Sequence, residues 1–297
     1  MTSPAPSRPA PTDSTASLES RPEIVVRNIS FSPDLEPAQP WLGGDPIASA
    51  FFNALSVTFP QGERFFMDSV RRYKGQLPPE LAAQASAFVT QEALHTREHV
   101  AFNQQVASQG YDVAALEERT RKRLAIARAR PHRIQLAVTM ALEHFTAILA
   151  HSLLARPDYL DGASDEAKAL WRWHAIEEIE HKAVAFDVFQ AVHASTPAPF
   201  RWLRRSISMI AATLILASVI GANMRDLLAQ DGIRGFSAWR RSMRYLWFKP
   251  APLRQIAGLY FMYFRPGFHP WSHDDRELIA ETDAQLRAAY PLAEAAA

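Results

Sequence analysis

Residues 173–181, WHAIEEIEH, carry two histidines and three glutamates in nine positions. The flanking residues, ALW at 169–171 and AVAF at 183–186, are typical of a buried helix. At 100° per residue, one helix face collects four of the five titratable side chains: His174, Glu177, Glu178 and His181. Glu180 lies away from that face, and we predict that it points toward solvent. Burying several carboxylates without a cation is very costly, so this face indicates a metal site.

Glu178 and His181 form a Glu-x-x-His pair, the spacing at which one helix offers a carboxylate and an imidazole to the same metal ion. Glu92 and His95 form a second such pair, in the apolar-striped stretch QEALHTREHVAFN. One pair alone is weak support for a metal site, because surface helices often contain this spacing. Two pairs on separate apolar helices are a much more specific signal.

Each pair is preceded, at the distance expected within a helix hairpin, by a lone glutamate in an apolar stretch. These are Glu63 in FPQGERFF and Glu143 in TMALEHFTAIL. Two such hairpins packed together would bring six ligands to one internal point, as in the di-metal carboxylate proteins. The sequence therefore predicts an all-α fold: a ferritin-like four-helix bundle with extra C-terminal helices and an extended N-terminal arm.

By analogy with ferritin-like di-metal proteins, Glu92 and Glu178 would bridge the two ions. The remaining ligands would divide into Glu63 and His95 on one ion, and Glu143, His181 and His174 on the other. His174 gives one imidazole more than the usual set. In this respect the site resembles the arylamine N-oxygenases, di-iron enzymes in which the equivalent histidine is an additional ligand. A packing or ligand-supporting role for His174 is the alternative.

A different interpretation rests on HTREH, residues 95–99, which matches the inverted zincin pattern His-x-x-Glu-His. His95 and His99 would then bind zinc, and Glu98 would act as the general base of a metal-dependent hydrolase. This interpretation leaves the ligand candidates outside 92–99 unexplained. If the di-metal interpretation holds, we expect Glu98, His99 and Glu177 to support the ligands.

From about Pro46 to Asp275 the chain also resembles a bacterial family described as predicted metal-dependent hydrolases. The resemblance rests on four stretches: FPQGERFF, QEALHTREHVAFN, WRWHAIEEIEHKAVAFDVF and YFRPGFHPWSHDD. It implies the fold and a metal site more than it implies any one reaction. His269 and His273, in the last stretch, are candidates to reach the site, although surface or structural roles are the commoner case for such histidines.

Capping residues and prolines divide the chain. Residues 1–22 are predicted to be a disordered tail, 23–45 an extended arm, 46–196 the di-metal bundle and 197–297 a C-terminal helical region. Pro60 and Gly62 are expected to kink or interrupt the first helix. The helices predicted within the bundle are 46–73, 80–108, 113–129, 132–155 and 165–194.

Composition limits the function. A net charge of +1 argues against a nucleic-acid partner, and the lack of a signal peptide agrees with a cytoplasmic protein. Because the chain has no cysteine, any metal must be held by His, Asp and Glu, which favours hard or borderline ions.

Residues 206–224, SISMIAATLILASVIGANM, contain no charged side chain. This stretch approaches the length of a membrane span, but its small and hydroxyl residues dilute its hydrophobicity. Three environments stay open: burial in the protein, a homodimer interface, and a membrane that the region 201–225 contacts from one side or crosses.

The functional prediction is a non-haem di-iron oxygenase or oxidase that uses O₂ on a hydrophobic substrate. It would need an electron donor such as a ferredoxin or a reductase. Iron–manganese and zinc are alternative metal contents. The other functions left open are the metal-dependent hydrolase and an iron-oxidising or iron-binding protein.

Overall fold

The computed structural model describes residues 22–33, 35 and 40–290. These residues form helices and connecting segments without a β-strand, which confirms the predicted all-α class. The predicted tail, except for residue 22, lies outside the described residues. The α-helices are α1 Pro46–Arg71, α2 Pro79–Ser108, α3 Val113–Arg128, α4 His132–Ala155, α5 Asp165–His181, α6 Val184–Val192, α7 Ala198–Gln230, α8 Gly235–Trp247, α9 Pro252–Met262 and α10 Arg276–Ala289.

Two helix hairpins make the centre of the fold. Helix α1 packs along α2 and helix α4 packs along α5, while α1 also contacts α4 and α2 contacts α5. Polar caps begin two of these helices: the Asp45 carboxylate accepts a hydrogen bond from Ile47 N at 2.8 Å, and Ser164 accepts one from Ala167 N at 3.3 Å. Around this bundle, α7 packs on α1 and α4, α9 on α4, and α10 on α5 and α4.

Pro60 lies inside α1 without ending it, so the expected interruption of this helix does not occur. A proline at this position cannot donate a hydrogen bond to the carbonyl of Ser56, four residues earlier. That carbonyl instead accepts a hydrogen bond from Asn103 Nδ2 of α2 at 3.2 Å. Pro60 thus leaves the Ser56 carbonyl available for the hydrogen bond that joins α1 to α2.

The single helix predicted at 165–194 is wrong, because the structure divides it into α5 and α6 directly after His181. Lys182 lies at the break, buried, and its ammonium donates to Asp275 Oδ2 at 2.5 Å and to the carbonyl of His273 at 2.9 Å. The break therefore places the Lys182 ammonium against the C-terminal segment. Helix periodicity in the sequence does not predict this contact.

The segment 22–33 runs without helix over the outer side of α2 and α5. Its backbone donates to two buried carboxylates, from Val25 N to Glu180 at 3.1 Å and from Phe31 N to Glu98 at 2.8 Å. The prediction that Glu180 faces solvent is wrong, since only 3% of this residue is exposed. The arm covers the side of α5 opposite the metal face, and Arg27 pairs with Glu180 at 2.7 Å.

Helix α7 contains the uncharged stretch 206–224. By length and composition alone, α4 and α7 could each cross a membrane; 67% of the most apolar window is buried in α4 but only 33% in α7. One face of α7 packs on the bundle through residues such as Met209 and Val219. The opposite face of α7 is exposed, so burial within this chain accounts for only part of its apolar character.

Candidate metal centre

All seven predicted ligands converge in the centre of the two hairpins, and all are buried. Each of the four helices in the two hairpins contributes at least one ligand: Glu63 from α1, Glu92 and His95 from α2, Glu143 from α4, and His174, Glu178 and His181 from α5. The ligand atoms form overlapping groups of three whose members lie within 4.8 Å of one another. Such separations suit atoms that surround an ion at about 2.0–2.2 Å.

The carboxylates of Glu178 and Glu92 each face two directions. Glu178 Oε1 lies 2.9 Å from His174 Nε2, and its Oε2 lies 3.5 Å from His181 Nε2. Glu92 Oε2 lies 3.9 Å from His95 Nδ1, and its Oε1 lies 3.4 Å from His181 Nε2. The site therefore has two halves, and each of these carboxylates has one oxygen toward each half.

The other ligands divide between the halves. Glu63, His95 and His174 form one group, with 3.9 Å between Glu63 Oε1 and His174 Nε2. Glu143 and His181 belong to the other, with 3.4 Å between Glu143 Oε2 and His181 Nε2. The structure therefore differs from the prediction that grouped His174 with Glu143 and His181. The difference is physical: Glu63 of α1 lies beside His174, the first ligand of α5, whereas Glu143 of α4 lies beside His181, the last.

Most ligand atoms that face the centre have no hydrogen-bond partner among the described residues; the exceptions are His174 Nε2 and Glu178 Oε1, which lie 2.9 Å apart. The unpartnered atoms are Glu63 Oε1, both oxygens of Glu92 and of Glu143, Glu178 Oε2, His95 Nδ1 and His181 Nε2. Buried polar atoms are otherwise nearly always satisfied in proteins. Unpartnered oxygen and nitrogen atoms from four helices, all directed at one point, fit bound cations.

Burial also changes the protonation of the ligands. It raises the pKa of Glu63, Glu92 and Glu143 well above the usual range, and neighbouring carboxylates add to this. Burial alone would raise the pKa of Glu178 too, but His181 and His174 outweigh it and hold that pKa well below its usual range. Without a cation the carboxylate cluster therefore tends to take up protons.

Each imidazole is oriented by a partner on its far side. His95 Nε2 lies 3.1 Å from Glu177 Oε2, and His181 Nδ1 lies 3.0 Å from Gln91 Oε1. Because these oxygens accept a hydrogen bond from the ring N–H of a neutral imidazole, the opposite nitrogens would carry lone pairs directed into the site. Burial lowers the pKa of His95 well below its usual value, which also favours the neutral, metal-binding form.

His174 is oriented by a chain of hydrogen bonds. Its Nδ1 lies 2.5 Å from His99 Nε2, and His99 Nδ1 lies 2.8 Å from Ser56 Oγ. Ser56 Oγ in turn donates to Asn103 Oδ1 at 2.7 Å. Since the serine proton points to Asn103, His99 Nδ1 must donate to Ser56, so His99 Nε2 accepts from His174 Nδ1. With its proton on Nδ1, His174 would offer the Nε2 lone pair to a cation in place of the 2.9 Å contact that Nε2 makes with Glu178 Oε1 in this structure.

These contacts argue against the roles that the inverted zincin pattern gives to His99 and Glu98, although His95 remains a candidate ligand. Both ring nitrogens of His99 have partners, and His99 belongs to none of the candidate ligand groups among the described residues. The Glu98 carboxylate accepts hydrogen bonds from Phe31 N and from Arg97 Nε, at 2.8 and 2.5 Å. Glu98 thus anchors the arm instead of acting as a base beside a metal.

His269 and His273 lie outside the seven-residue cluster. His269 Nε2 is 3.2 Å from Asp187 Oδ1. His273 lies near His151 and Asp275, a group with suitable spacing for a metal. The ammonium of Lys182 already contacts the same Asp275 carboxylate, at 2.5 Å, and provides its counter-charge.

A cavity of about 400 Å³ adjoins the centre, a volume in the range of small-molecule sites. Its wall includes His174 and Glu178, together with apolar side chains from α1, α3, α4 and α7, among them Phe59, Leu142, Phe145 and Ile215. The cavity is lined almost wholly by hydrocarbon, so its ligand should be apolar where it touches the wall.

The sequence did not reveal three supporting residues. Thr96 Oγ1 donates to Glu63 Oε2 at 2.8 Å and leaves the other oxygen of Glu63 for the site. Gln91 holds His181, and Arg27 N donates to Glu177 Oε1 at 3.0 Å. Thr96 and Gln91 directly follow and precede ligands, which is a usable signal. Arg27 lies far away in the sequence and has no such signal.

The metal-free protein is expected to lose stability as the pH rises from about 7 to about 9. In this range the buried histidines, whose pKa is lowered by burial, are neutral in the folded chain and largely neutral in the unfolded chain. Because burial raises the pKa of Glu63, Glu92 and Glu143 well above an unfolded value near 4.3, these carboxyl groups hold more protons in the folded chain than in the unfolded chain. The free energy of unfolding then falls with rising pH. Thermal melting of chelator-treated protein across this range tests it. The Glu92→Gln variant should flatten the slope, and an unchanged melting temperature for the parent protein would contradict it.

A family model described as "Predicted metal-dependent hydrolase" matches residues 25–274 of the 297-residue chain. The match contains the seven clustered ligands and begins within the arm that supports them. No curated protein and no solved structure matches the chain. The comparisons therefore give no support to the resemblance to arylamine N-oxygenases and do not identify the metal.

Proposed function

The chain belongs to the family of predicted metal-dependent hydrolases, and on this premise we propose that it is a two-metal hydrolase for a substrate with a long apolar part. One observation carries the proposal: a buried cluster of four carboxylates and three imidazoles opens onto an apolar cavity. The hydrolytic reaction itself comes from the family description, and the apolar substrate from the cavity wall.

In this proposal Glu63, His95 and His174 would hold one ion, Glu143 and His181 would hold the other, and Glu92 and Glu178 would contribute to both. A bound pair of cations would supply Lewis acidity and activate water at neutral pH. No thiolate is present, so zinc, manganese and iron all suit the ligand set.

The protein's own residues position the substrate. Phe59 and Phe145 line the cavity, where they would exclude water from the apolar part of a bound molecule. His174 and Glu178 are the ligands on the cavity wall, so the bond to be cleaved should lie beside them. His99 and Glu177 keep two of the imidazoles in the metal-binding tautomer and touch no substrate.

The test combines metal analysis with an ester assay. Protein reconstituted separately with zinc, manganese and iron should retain two ions per chain and cleave p-nitrophenyl esters under argon, faster for long acyl chains than for acetate. Water labelled with ¹⁸O should place the label in the released acid. Retention of fewer than two ions, or equal rates after chelation, would contradict the proposal.

Oxidation by O₂ is a second candidate. The observation that favours it is the wall of the cavity, which offers few polar groups for a scissile ester or amide besides the metal ligands themselves. Iron with carboxylate and imidazole ligands is suited to O₂ chemistry, and an external electron donor such as a ferredoxin would be needed. Oxygen consumption that requires both iron and a reductant, with no turnover under argon, would identify this reaction.

Filling the cavity should weaken substrate binding without affecting the metals. Val138 lies on the cavity wall from α4, about one turn before Glu143, and is half-buried. Its replacement by tryptophan is expected to raise the KM for a long-chain ester by about tenfold or more, because the added ring occupies space for several methylenes. Rates for p-nitrophenyl acetate and the metal content should stay unchanged. Equal KM changes for short and long esters would contradict the cavity assignment.

A further inference from the structure

The outward face of α7 is apolar over the first half of the helix, from residue 200 to 215. Large exposed side chains recur along one side of the helix, at Phe200, Leu203, Ile207, Ile210 and Leu214. Leu214 is 67% exposed, and no described residue covers this face. A row of large apolar side chains of this length is unusual on a protein surface that is exposed only to water. It indicates that a membrane or another molecule covers this face.

Helix α8 follows after a short turn and packs against α7 and α9. It exposes aromatic rings at Phe236 (73% exposed), Trp239 and Trp247, together with Arg240 and Arg241. Phe236 and Trp239 stack with 5.4 Å between ring centroids. Tryptophan and arginine on a short amphipathic helix are typical of a segment that lies at the boundary of a lipid bilayer.

The charge around these helices is strongly one-sided. Residues 188–273 contain eleven Arg and Lys but only two acidic residues, Asp226 and Asp231, although the whole chain has a net charge of only +1. Among the described residues, Arg240, Arg241 and Arg244 have no carboxylate partner within 4.0 Å. Both acidic residues of this region are already engaged, Asp226 by Arg119 and Asp231 by Tyr111. The surface is therefore complementary to an anionic partner.

We propose that the exposed faces of α7 and α8 bind the surface of an anionic lipid bilayer. The row of apolar side chains would enter the acyl boundary, the tryptophans would lie at the headgroups, and the arginines would contact lipid phosphates. Two copies of this chain pairing through the same surface would bring like charges together, which disfavours a homodimer here. A nucleic acid would leave the apolar row of α7 exposed to water.

The same helix forms part of the cavity. Ala211 and Ile215 of α7 are exposed and also line the cavity, and Pro252 at the start of α9 lines it as well. An apolar molecule could thus pass from the bilayer into the cavity along α7 without crossing water. This consequence rests on the proposed function, whereas bilayer binding does not require any activity.

Flotation of the full-length protein with vesicles tests the binding. One set of vesicles contains phosphatidylcholine alone, and the other contains phosphatidylcholine with phosphatidylglycerol. The protein should float with the anionic vesicles, and raising the salt concentration should weaken the association. Tryptophan emission should shift to shorter wavelength on binding, as Trp239 and Trp247 leave water.

Two variants separate the contributions. Ile207→Glu/Leu214→Glu should weaken association with anionic vesicles by at least about tenfold. Arg240→Gln/Arg241→Gln should weaken it by about thirtyfold. The matched control is Arg276→Gln/Arg287→Gln on α10, which contacts α5 and α4; it removes the same charge and should bind as the parent protein does.

The proposal is overturned if the parent protein floats with neither kind of vesicle, or if the α10 control weakens binding as much as the α8 variant. It is also overturned if sedimentation shows a dimer that Ile207→Glu/Leu214→Glu dissociates while vesicle binding is absent, since a second copy would then cover the face. None of these measurements uses turnover, so failure of the hydrolase proposal would leave them unaffected.

Discussion

A Glu178→Gln variant is expected to retain at most one metal ion per chain and to lose turnover by at least about a thousandfold. The two oxygens of Glu178 face opposite halves of the centre, 2.9 Å from His174 Nε2 and 3.5 Å from His181 Nε2. Glutamine keeps the size of the side chain but removes its charge and one of its two acceptor oxygens. Two cations a few ångströms apart would then repel each other with less anionic charge between them.

Metal content measured after gel filtration, together with ester turnover, checks this prediction. Glu98→Gln is the matched control, because Glu98 is buried on a ligand-bearing helix but its carboxylate contacts the arm. The control should keep two ions and near-parental turnover, whereas the inverted zincin pattern predicts that it loses its general base. Glu143→Gln should affect only the half that contains His181. If Glu178→Gln retains both ions, the bridging assignment is wrong.

The ligands themselves could be found from the sequence because their spacing is local. A Glu-x-x-His pair fixes two side chains on one helix face, and a lone glutamate at hairpin distance adds a third from the neighbouring helix. The grouping within the site was less predictable. It depends on which ligand of α5 lies beside Glu63 of α1 and which lies beside Glu143 of α4. For this reason His174 lies with Glu63 and His95 instead of with Glu143.

The sequence predicted that His99 and Glu177 support the ligands, but not the contacts through which they do so or the arm that covers α5. Glu180 lies on the opposite side of its helix from the metal face, which by periodicity alone indicates solvent. The arm reverses that conclusion, since Arg27 covers Glu180 from about 150 residues away in the chain. The pairing of His99 with His174 likewise depends on how α2 and α5 pack. Neither contact leaves a periodic signal, because each depends on tertiary packing.

The reaction was not predictable from the ligand set. Carboxylates and imidazoles at one point require cations but do not select between hydrolysis and oxidation, because zinc, manganese and iron all accept them. The structure adds the apolar cavity, and the family match adds the description of a metal-dependent hydrolase. The apolar substrate and the hydrolysis proposed above rest on these two observations, and the bond cleaved in that proposal would depend on the polar groups that a substrate presents beside Glu178 and His174.

An Arg27→Met variant is expected to lose about 3–5 kcal/mol of unfolding free energy. The guanidinium is buried and pairs with Glu180 at 2.7 Å and with Glu177 at 3.5 Å, and neither carboxylate is exposed to solvent. Methionine keeps much of the apolar volume, so the loss comes from leaving two buried carboxylates without a cation. Because Glu177 orients His95, metal affinity should also fall, by about ten- to a hundredfold.

Urea unfolding of the metal-free protein at several pH values distinguishes charge from packing as the cause. Burial raises the pKa of Glu177 even with Arg27 present, and removing Arg27 raises the pKa further. When the pKa of a carboxyl group is higher in the folded chain than in the unfolded chain, the free energy of unfolding falls as the pH rises. The loss of unfolding free energy caused by Arg27→Met should therefore be larger at pH 8 than at pH 5. Adding Glu180→Gln should restore part of the loss. Arg97→Met removes a half-exposed arginine that pairs with Glu98 and donates to the arm at Asn28 and Ile29, and it should cost only about 1 kcal/mol or less. If the loss of unfolding free energy does not change with pH, the effect of Arg27→Met comes from packing. The arm would then have no electrostatic role in the metal centre.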